Sequence, residues 1–281
     1  MRSKTRLVLV LGAALSLLAA GCGEKADTGG GGGGDGTDGE QPAFTTISDG
    51  VLAVGSCLDY PPFESVEGGE EVGFDVDLVE AIAERLGLTV EWVRADFDTI
   101  FTAVAGQQFD AVAAASTITE ERLAVVDFSD PYYNSRQALT AVSGSGITST
   151  ADLVDGTRVG VQRGTTGKAF AEENLEAQGA EIVSYPGGPD ALRDLEAGNL
   201  DAVVVDEPAT VEIIKDLPSL EIVEPIDTNE TYGFAFSKDN PELTEAVNGA
   251  LAEIIADGTY ETIFATYFPG VEVPAEFQAS A

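Results

Sequence analysis

AAASTITEERLAVVDFSDPYY, residues 113–133, decides how the rest of the chain is read. The run that leads into it, FDAVAAAS from Phe109 to Ser116, is almost wholly apolar, as a strand covered on both faces is. It breaks into Ser116, Thr117 and Thr119, which bring hydroxyls and free backbone N–H groups just past the strand end. A single arginine, Arg122, follows them in a chain with 14 Lys plus Arg against 49 Asp plus Glu. Ligands of open α/β sheets sit outside the carboxyl ends of the strands. A guanidinium fork beside hydroxyls and N–H donors suits a carboxylate. The competing reading pairs Arg122 with Glu120, Glu121 or Asp127 on the surface.

Upstream, the order is strand, helix, strand, helix, strand. Val51 to Val54 reads as a strand that Pro61 and Pro62 end and stiffen into a turn. Tyr60 and Phe63 sit in that turn, either as core aromatics or, for Tyr60, as a ring that stacks on a ligand. GFDVDLVEAIAERLG is amphipathic, with Val76, Val79, Ile82, Ala83 and Leu86 on one face, Asp75 as its expected N-cap and Gly87 as its C-terminal cap. LTVEWV follows as a strand, and DFDTIFTAVAGQQ as a helix with Asp98 as its expected cap. This alternation predicts an α/β unit with a mainly parallel sheet.

Downstream, Asn134 to Val142 reads as an extended crossing segment. Arg158 to Gln162 is a strand, and Gly164 to Gly167 turn into a helix that Thr165 or Thr166 caps, leaving N–H groups for an anion. The buried strand Asp201 to Val205 ends in Asp206, placed to meet an ammonium or to cap the helix after it. LEIVEPI and TYGFAFSKD read as two strands, followed by a helix from Pro241 to Ala256 and a last one, GTYETIFATYF. The pieces make two α/β lobes, residues 44–136 plus 232–281 and residues 137–231. The chain crosses between them near Asn134–Arg136 and Asn229–Tyr232. Two crossings make a hinge, and the cleft between the lobes is the expected ligand site.

The first residues carry an address. Arg2, Lys4 and Arg6 precede the apolar stretch Leu7 to Ala20, whose 14 residues suit a signal-peptide core and are too few to span a bilayer. LAAGC then resembles a bacterial lipobox, making residues 1–21 a signal peptide and Cys22 a lipidated first residue. The usual leucine three places before the cysteine is here Ala19, with Leu18 one place earlier. Residues 22–43 are then a glycine- and acid-rich tether.

Composition excludes several classes. A formal charge of −35 repels nucleic acid and anionic lipid. The chain has no histidine, which removes the commonest metal ligand and the usual general base. With Cys22 lipidated, Cys57 is the one thiol left, so no intramolecular disulfide and no cysteine-rich metal site is expected. No cofactor and no metal is predicted.

YPPFE, GFDVDLVEAIAERLG, FDTIF, STITEER, VDFSDPYY, VGVQRGTTG and LDAVVVDEP, in this order and spacing, resemble the polar amino-acid-binding proteins of ATP-binding-cassette (ABC) importers, solute-binding protein family 3. The resemblance spans Val51 to Phe268. It implies a two-lobed periplasmic-binding-protein fold that closes on a free α-amino acid. By resemblance, Arg122 grips the α-carboxylate, joined by N–H groups of Thr117 and Thr166. Asp206 takes the α-ammonium with the Thr117 hydroxyl and the Ala115 carbonyl. Tyr60 and Phe97 sandwich the side chain, and Gln162 faces it. The expected protein is a monomeric, lipid-anchored, extracytoplasmic receptor that hands its ligand to a permease and does no chemistry. Two further readings use the same scaffold: a cyclohexadienyl-dehydratase-like enzyme and a ligand-binding partner of a sensor. Where many relatives carry an aspartate against the ligand side chain, this chain has Cys57, mostly neutral at pH 7. That leans the ligand toward a neutral or acidic side chain. Asp59 or Glu64 would restore the charge and keeps a basic ligand open.

Overall fold

The computed structural model describes residues 44–279, so the leader, Cys22 and the tether lie outside the described residues. In chain order the strands and helices are β1 Val51–Ser56, β2 Ser65–Glu67, β3 Glu70–Val72, α1 Phe74–Leu86, β4 Thr89–Arg94, α2 Phe97–Ala105, β5 Ala111–Val112, α3 Glu120–Leu123, β6 Asp127–Phe128 and β7 Tyr133–Val142. They continue as β8 Arg158–Gln162, α4 Thr166–Asn174, β9 Glu181–Tyr185, α5 Gly188–Glu196, β10 Ala202–Asp206, α6 Glu207–Ile213, β11 Leu220–Tyr232, β12 Ala235–Phe236, α7 Pro241–Ala256 and α8 Thr259–Tyr267. Among the described residues no helix is long and apolar enough to cross a membrane.

Two five-stranded sheets result. The first runs β4-β1-β5-β12-β6, with β1 parallel to β4 and β5, and β12 antiparallel to both its neighbours. The second runs β11-β7-β10-β8-β9, with a parallel β10-β8-β9 block and an antiparallel β7 and β11. Both sheets are therefore mixed where a mainly parallel one was expected. The antiparallel members are the segments that return from the other lobe. β7 carries the chain out of the first sheet and β11 carries it back. The two pair side by side through Asn134↔Thr231 and Tyr133↔Tyr232.

Local expectations fail where tertiary contacts override them. The apolar run after Phe109 pairs as a ladder only at Ala111–Val112, and Ala115 takes a left-handed backbone, φ 43. A strand cannot continue through that conformation, so the ladder ends and the chain bends. LEIVEPI and the start of TYGF form one strand, β11, because register shifts after Ile222 and Ile226 keep it paired with β7. Asp98 does not cap α2; that position belongs to Asp96.

Asp75 is not the cap of α1 either. Gly73 holds that position at φ 144, and the Asp75 side chain is fully buried inside the lobe. Its carboxylate accepts from the Ala115 N–H at 2.9 Å and from the Tyr132 hydroxyl at 2.8 Å. The polar link lies under an aromatic cluster in which Phe74 meets Phe63, Tyr260, Phe264 and Phe268 at centroid distances of 5.2–6.3 Å. Burying such rings is the largest apolar gain available to this lobe. α7 and α8 pack on α1 and complete it from the far end of the chain.

Gly73 is required twice over. Its φ lies outside the range of ordinary side chains, and a Cβ there would stand 2.0 Å from the Phe63 carbonyl oxygen. Gly73→Ala should lower stability by about 2–4 kcal/mol. A urea titration would show it as a lower midpoint at unchanged slope.

Candidate functional site

The ends of β1, β5, β8 and β10 converge between the two sheets. One small cavity there, about 20 Å³, is lined by Tyr60, Glu64, Phe97 and Ala115 from the first lobe. Gln162, Thr165 and Asp206 line it from the second lobe, and Cys57 borders it. Six of the residues predicted for the site from sequence, Cys57, Tyr60, Phe97, Ala115, Gln162 and Asp206, thus meet around one space.

Asp206 ends β10 and is buried. The Tyr60 hydroxyl donates to its Oδ2 at 2.5 Å across the lobes, and Gln137 Nε2 donates to its Oδ1 at 2.5 Å. Burial lifts its carboxyl to about 7, and the neighbouring Glu230 carboxylate adds to the rise against those two donors. Asp206 precedes α6 yet makes no side-chain cap bond, so its carboxylate is committed to the cavity.

Arg122, Thr117 and Thr166 form an adjoining group. Arg122 donates to the Thr117 carbonyl at 2.6 Å and, from the other lobe, to the Gly164 carbonyl at 3.1 Å. Its guanidinium stacks over Phe101 at 4.6 Å and over Phe97 at 5.2 Å from the ring centroids. It makes no ion pair with Glu120, Glu121 or Asp127, so the surface alternative does not hold. Burial lowers its pKa to about 10, which leaves it cationic at neutral pH. Thr165 accepts from the Lys168 N–H as the cap of α4, so Thr166 stands as the first helical residue. Arg122, Thr165 and Thr166 line a second opening beside the first.

The structure sorts the candidate side-chain contacts. The Cys57 thiol is pushed up by burial and then by Glu64 and Asp59, so it stays neutral. Gln162 lines the cavity, but its Oε1 is held by the Gly188 N–H at 3.0 Å. Asp59 is exposed and outside the lining, whereas Glu64 is 1 % exposed and within it. Among the described residues Glu64 Oε2 has no hydrogen-bond partner, and burial followed by Asp75 raises its pKa well above the usual carboxylate range.

Two residues escaped the sequence reading. Gln137 and Glu230 stand on the crossing strands and tie the site together: Gln137 Nε2 donates to Glu230 Oε1 at 3.0 Å as well as to Asp206. An acid in the middle of the expected second crossing was the available signal for Glu230; for Gln137 there was none.

Residues 52–270 match the model of the bacterial extracellular solute-binding proteins, family 3. The lysine/arginine/ornithine-binding periplasmic protein of Escherichia coli (strain K12) is 34% identical over 227 residues, covering 78% of this chain and 87% of that protein. An ancestral arginine-binding protein bound to arginine superposes with a TM-score of 0.75 at 39% identity, covering 78% of this chain and 98% of that one. An ancestral arginine-binding protein bound to glutamine gives a TM-score of 0.74 at 39% identity, over 79% and 99%. With two lobes, a shared cleft and a family match across both, this chain belongs to the bacterial extracellular solute-binding proteins, family 3, and is similar to the amino-acid-binding receptors of ABC importers.

Proposed function

We propose that this protein is an extracytoplasmic receptor that closes on a free L-amino acid with a cationic side chain and delivers it to an ABC importer. The observation that carries the reading is Glu64, a buried carboxyl with an unpaired oxygen on the wall of the cavity that Asp206 also lines. A zwitterion with a third charge needs three partners. Arg122 with the N–H groups of Thr117 and Thr166 suits the α-carboxylate. Asp206, the Ala115 carbonyl and the Thr117 hydroxyl suit the α-ammonium. Glu64 suits a side-chain ammonium or guanidinium, which would ionise it in place. Tyr60 and Phe97 offer ring faces to the methylene stem.

This reverses the lean toward a neutral or acidic ligand. The lean rested on Cys57, and Glu64 supplies at the same cavity the charge that Cys57 lacks. The names of the relatives point the same way, since all three are named for arginine and one of them for lysine and ornithine as well. One observation favours a second reading. A Glu64 kept protonated by its surroundings can donate to the carboxamide of glutamine. Binding needs no turnover, and the receptor's relatives are named as binding proteins. In the same proposal Cys22 carries a lipid that holds the receptor at the outer face of the cell membrane, and the soluble domain works as a monomer.

A thermal-shift panel of the twenty amino acids tests the ligand class. A ligand at a hundred times its dissociation constant stabilises by about 2.7 kcal/mol. Arginine or lysine should give the largest shift, and Glu64→Gln should abolish the preference over glutamine. A largest shift with glutamate or aspartate would sink the reading.

Arg122→Ala should weaken binding by roughly a hundredfold or more, about 3 kcal/mol, with the protein still folded. Unchanged affinity in calorimetry would remove Arg122 from the site.

Acidity should act in opposite directions on folding and on binding. Burial holds Asp206 protonated up to about pH 7, whereas its ordinary value is 3.8, so the native state binds the proton more tightly than the unfolded chain. Asp75 behaves alike, lifted to about 7 mainly by burial. The ligand-free protein should therefore lose stability as pH rises from about 4 to about 7. Affinity should instead fall as pH drops below about 7, by up to about tenfold per unit, because the ammonium must displace the Asp206 proton. Calorimetry at several pH values in buffers of different ionisation enthalpy reads both the affinity and the released proton.

A further inference from the structure

Glu230 stands where β11 resumes its pairing after a register shift that takes residues 227–229 out of the ladder, with Asn229 at φ 51. A bulge of this kind re-aims the next side chain. Here it turns an acid inward: Glu230 is buried on a strand whose preceding residues alternate between exposed and half-buried. Its carboxylate accepts four bonds. Oε2 takes the hydroxyls of Thr117 at 2.6 Å and Thr166 at 2.8 Å, one from each lobe. Oε1 takes the Thr228 hydroxyl at 2.7 Å and Gln137 Nε2 at 3.0 Å.

A carboxylate accepts and never donates, and a threonine hydroxyl has one proton. With that proton given to Glu230, the oxygens of Thr117 and Thr166 have only lone pairs left to offer. Gln137 Nε2 lies 3.3 Å from the Thr166 oxygen, a longer contact than the two bonds that take its protons to Asp206 and Glu230. Thr117 Oγ1 keeps its acceptor capacity, and Asp206 is a further acceptor linked to Glu230 through the shared Gln137.

We propose that Glu230 is a specificity-determining positioning residue: it fixes the hydroxyls of Thr117 and Thr166 as acceptors, so this corner of the cleft takes a protonated α-amino group and rejects ligands that lack one. This rests on the amino-acid reading above and deepens it. Asp206 supplies the charge for the ammonium. Glu230 supplies the hydrogen-bond polarity of the groups around it without touching the ligand itself. A glutamine at this position would present N–H donors to the same two oxygens and release their protons to point into the cleft, against an ammonium.

The test is calorimetry of the purified protein with L-arginine, L-lysine and L-glutamine. Each is paired with the same molecule lacking its α-amino group: δ-guanidinovalerate, ε-aminocaproate and glutaramate. For the best-bound amino acid, wild type should prefer it over its partner by about a hundredfold or more. In Glu230→Gln that preference should shrink by about tenfold or more, through weaker amino-acid binding, with the partner's affinity changed less than about threefold. Introducing Glu230→Gln into a background that carries both Thr117→Val and Thr166→Val should shrink it little further, because the two oxygens on which Glu230 acts are gone. An unchanged preference, or equal losses for both molecules of a pair, would overturn the role of Glu230 while leaving the receptor reading intact. Failure of the wild type to bind any of the three amino acids would overturn that reading first, and this one with it. If Glu230→Gln does not fold, nuclear magnetic resonance of the wild type decides. Slowly exchanging Thr117 and Thr166 hydroxyl protons coupled to the Glu230 carboxyl carbon are expected, and freely exchanging ones would overturn the proposal.

Discussion

Carboxylates buried with almost no cations to meet them are the constraint that the rest of this structure answers. An ionised carboxylate taken out of water costs several kcal/mol unless hydrogen bonds replace its hydration. Asp75, Asp206 and Glu230 are all buried, and Arg122 is the one cation among the groups that shift Asp206. The answer is neutral donors in number and, at Asp75 and Asp206, a carboxyl that keeps its proton up to about pH 7. Asp75 takes a backbone N–H and a tyrosine hydroxyl, Asp206 a tyrosine and an amide, Glu230 three hydroxyls and the same amide. Glu64 is the exception, with one oxygen left over at the cavity wall.

Those donors come from both lobes, so the polar network also joins them. Tyr60 to Asp206, Thr117 to Glu230 to Thr166, and Arg122 to Gly164 each cross the cleft. The crossing strands β7 and β11 give the network its axis. Their ladder places Ser135 opposite Glu230, and the hydroxyls of Ser135 and Tyr232 meet at 2.8 Å beside it. The cleft and the crossing strands therefore share residues.

The two lobes differ in how they stand up to that arrangement. The first is filled by stacked and edge-on rings, among them Tyr132 on Phe234 at 4.3 Å. The second has an aliphatic core of Leu139, Leu153, Val159, Val161 and Leu175. Asp75 links the aromatic core to the site by holding the Ala115 N–H. The left-handed turn that ends β5 is thereby anchored from inside the lobe rather than by its own local propensity.

Most of the fold was legible because its signals are local. The 3.6-residue period of α1 with Gly87 after it, the apolar runs at β8 and β10 and the proline opening α7 all lie within one element. Arg122, the Gly164–Thr166 turn and Asp206 could each be nominated from the residues as part of a ligand site, and the resemblance to the family joined them into a site for a zwitterion. Sequence alone also supplied the cysteine count and the lack of histidine. What it could not decide was where a side chain points once strands pair across the chain. Asp75 reads as a helix cap and is an interior anchor. Cys57 reads as a missing charge, and only packing puts Glu64 at the same cavity. The inward aim of Glu230 has no local signature beyond an acid in the expected second crossing, because a register shift between two strands some ninety residues apart turns it. Helix periods and caps depend on near neighbours. The aim of a buried acid depends on which distant donors the tertiary structure brings within 3 Å of it.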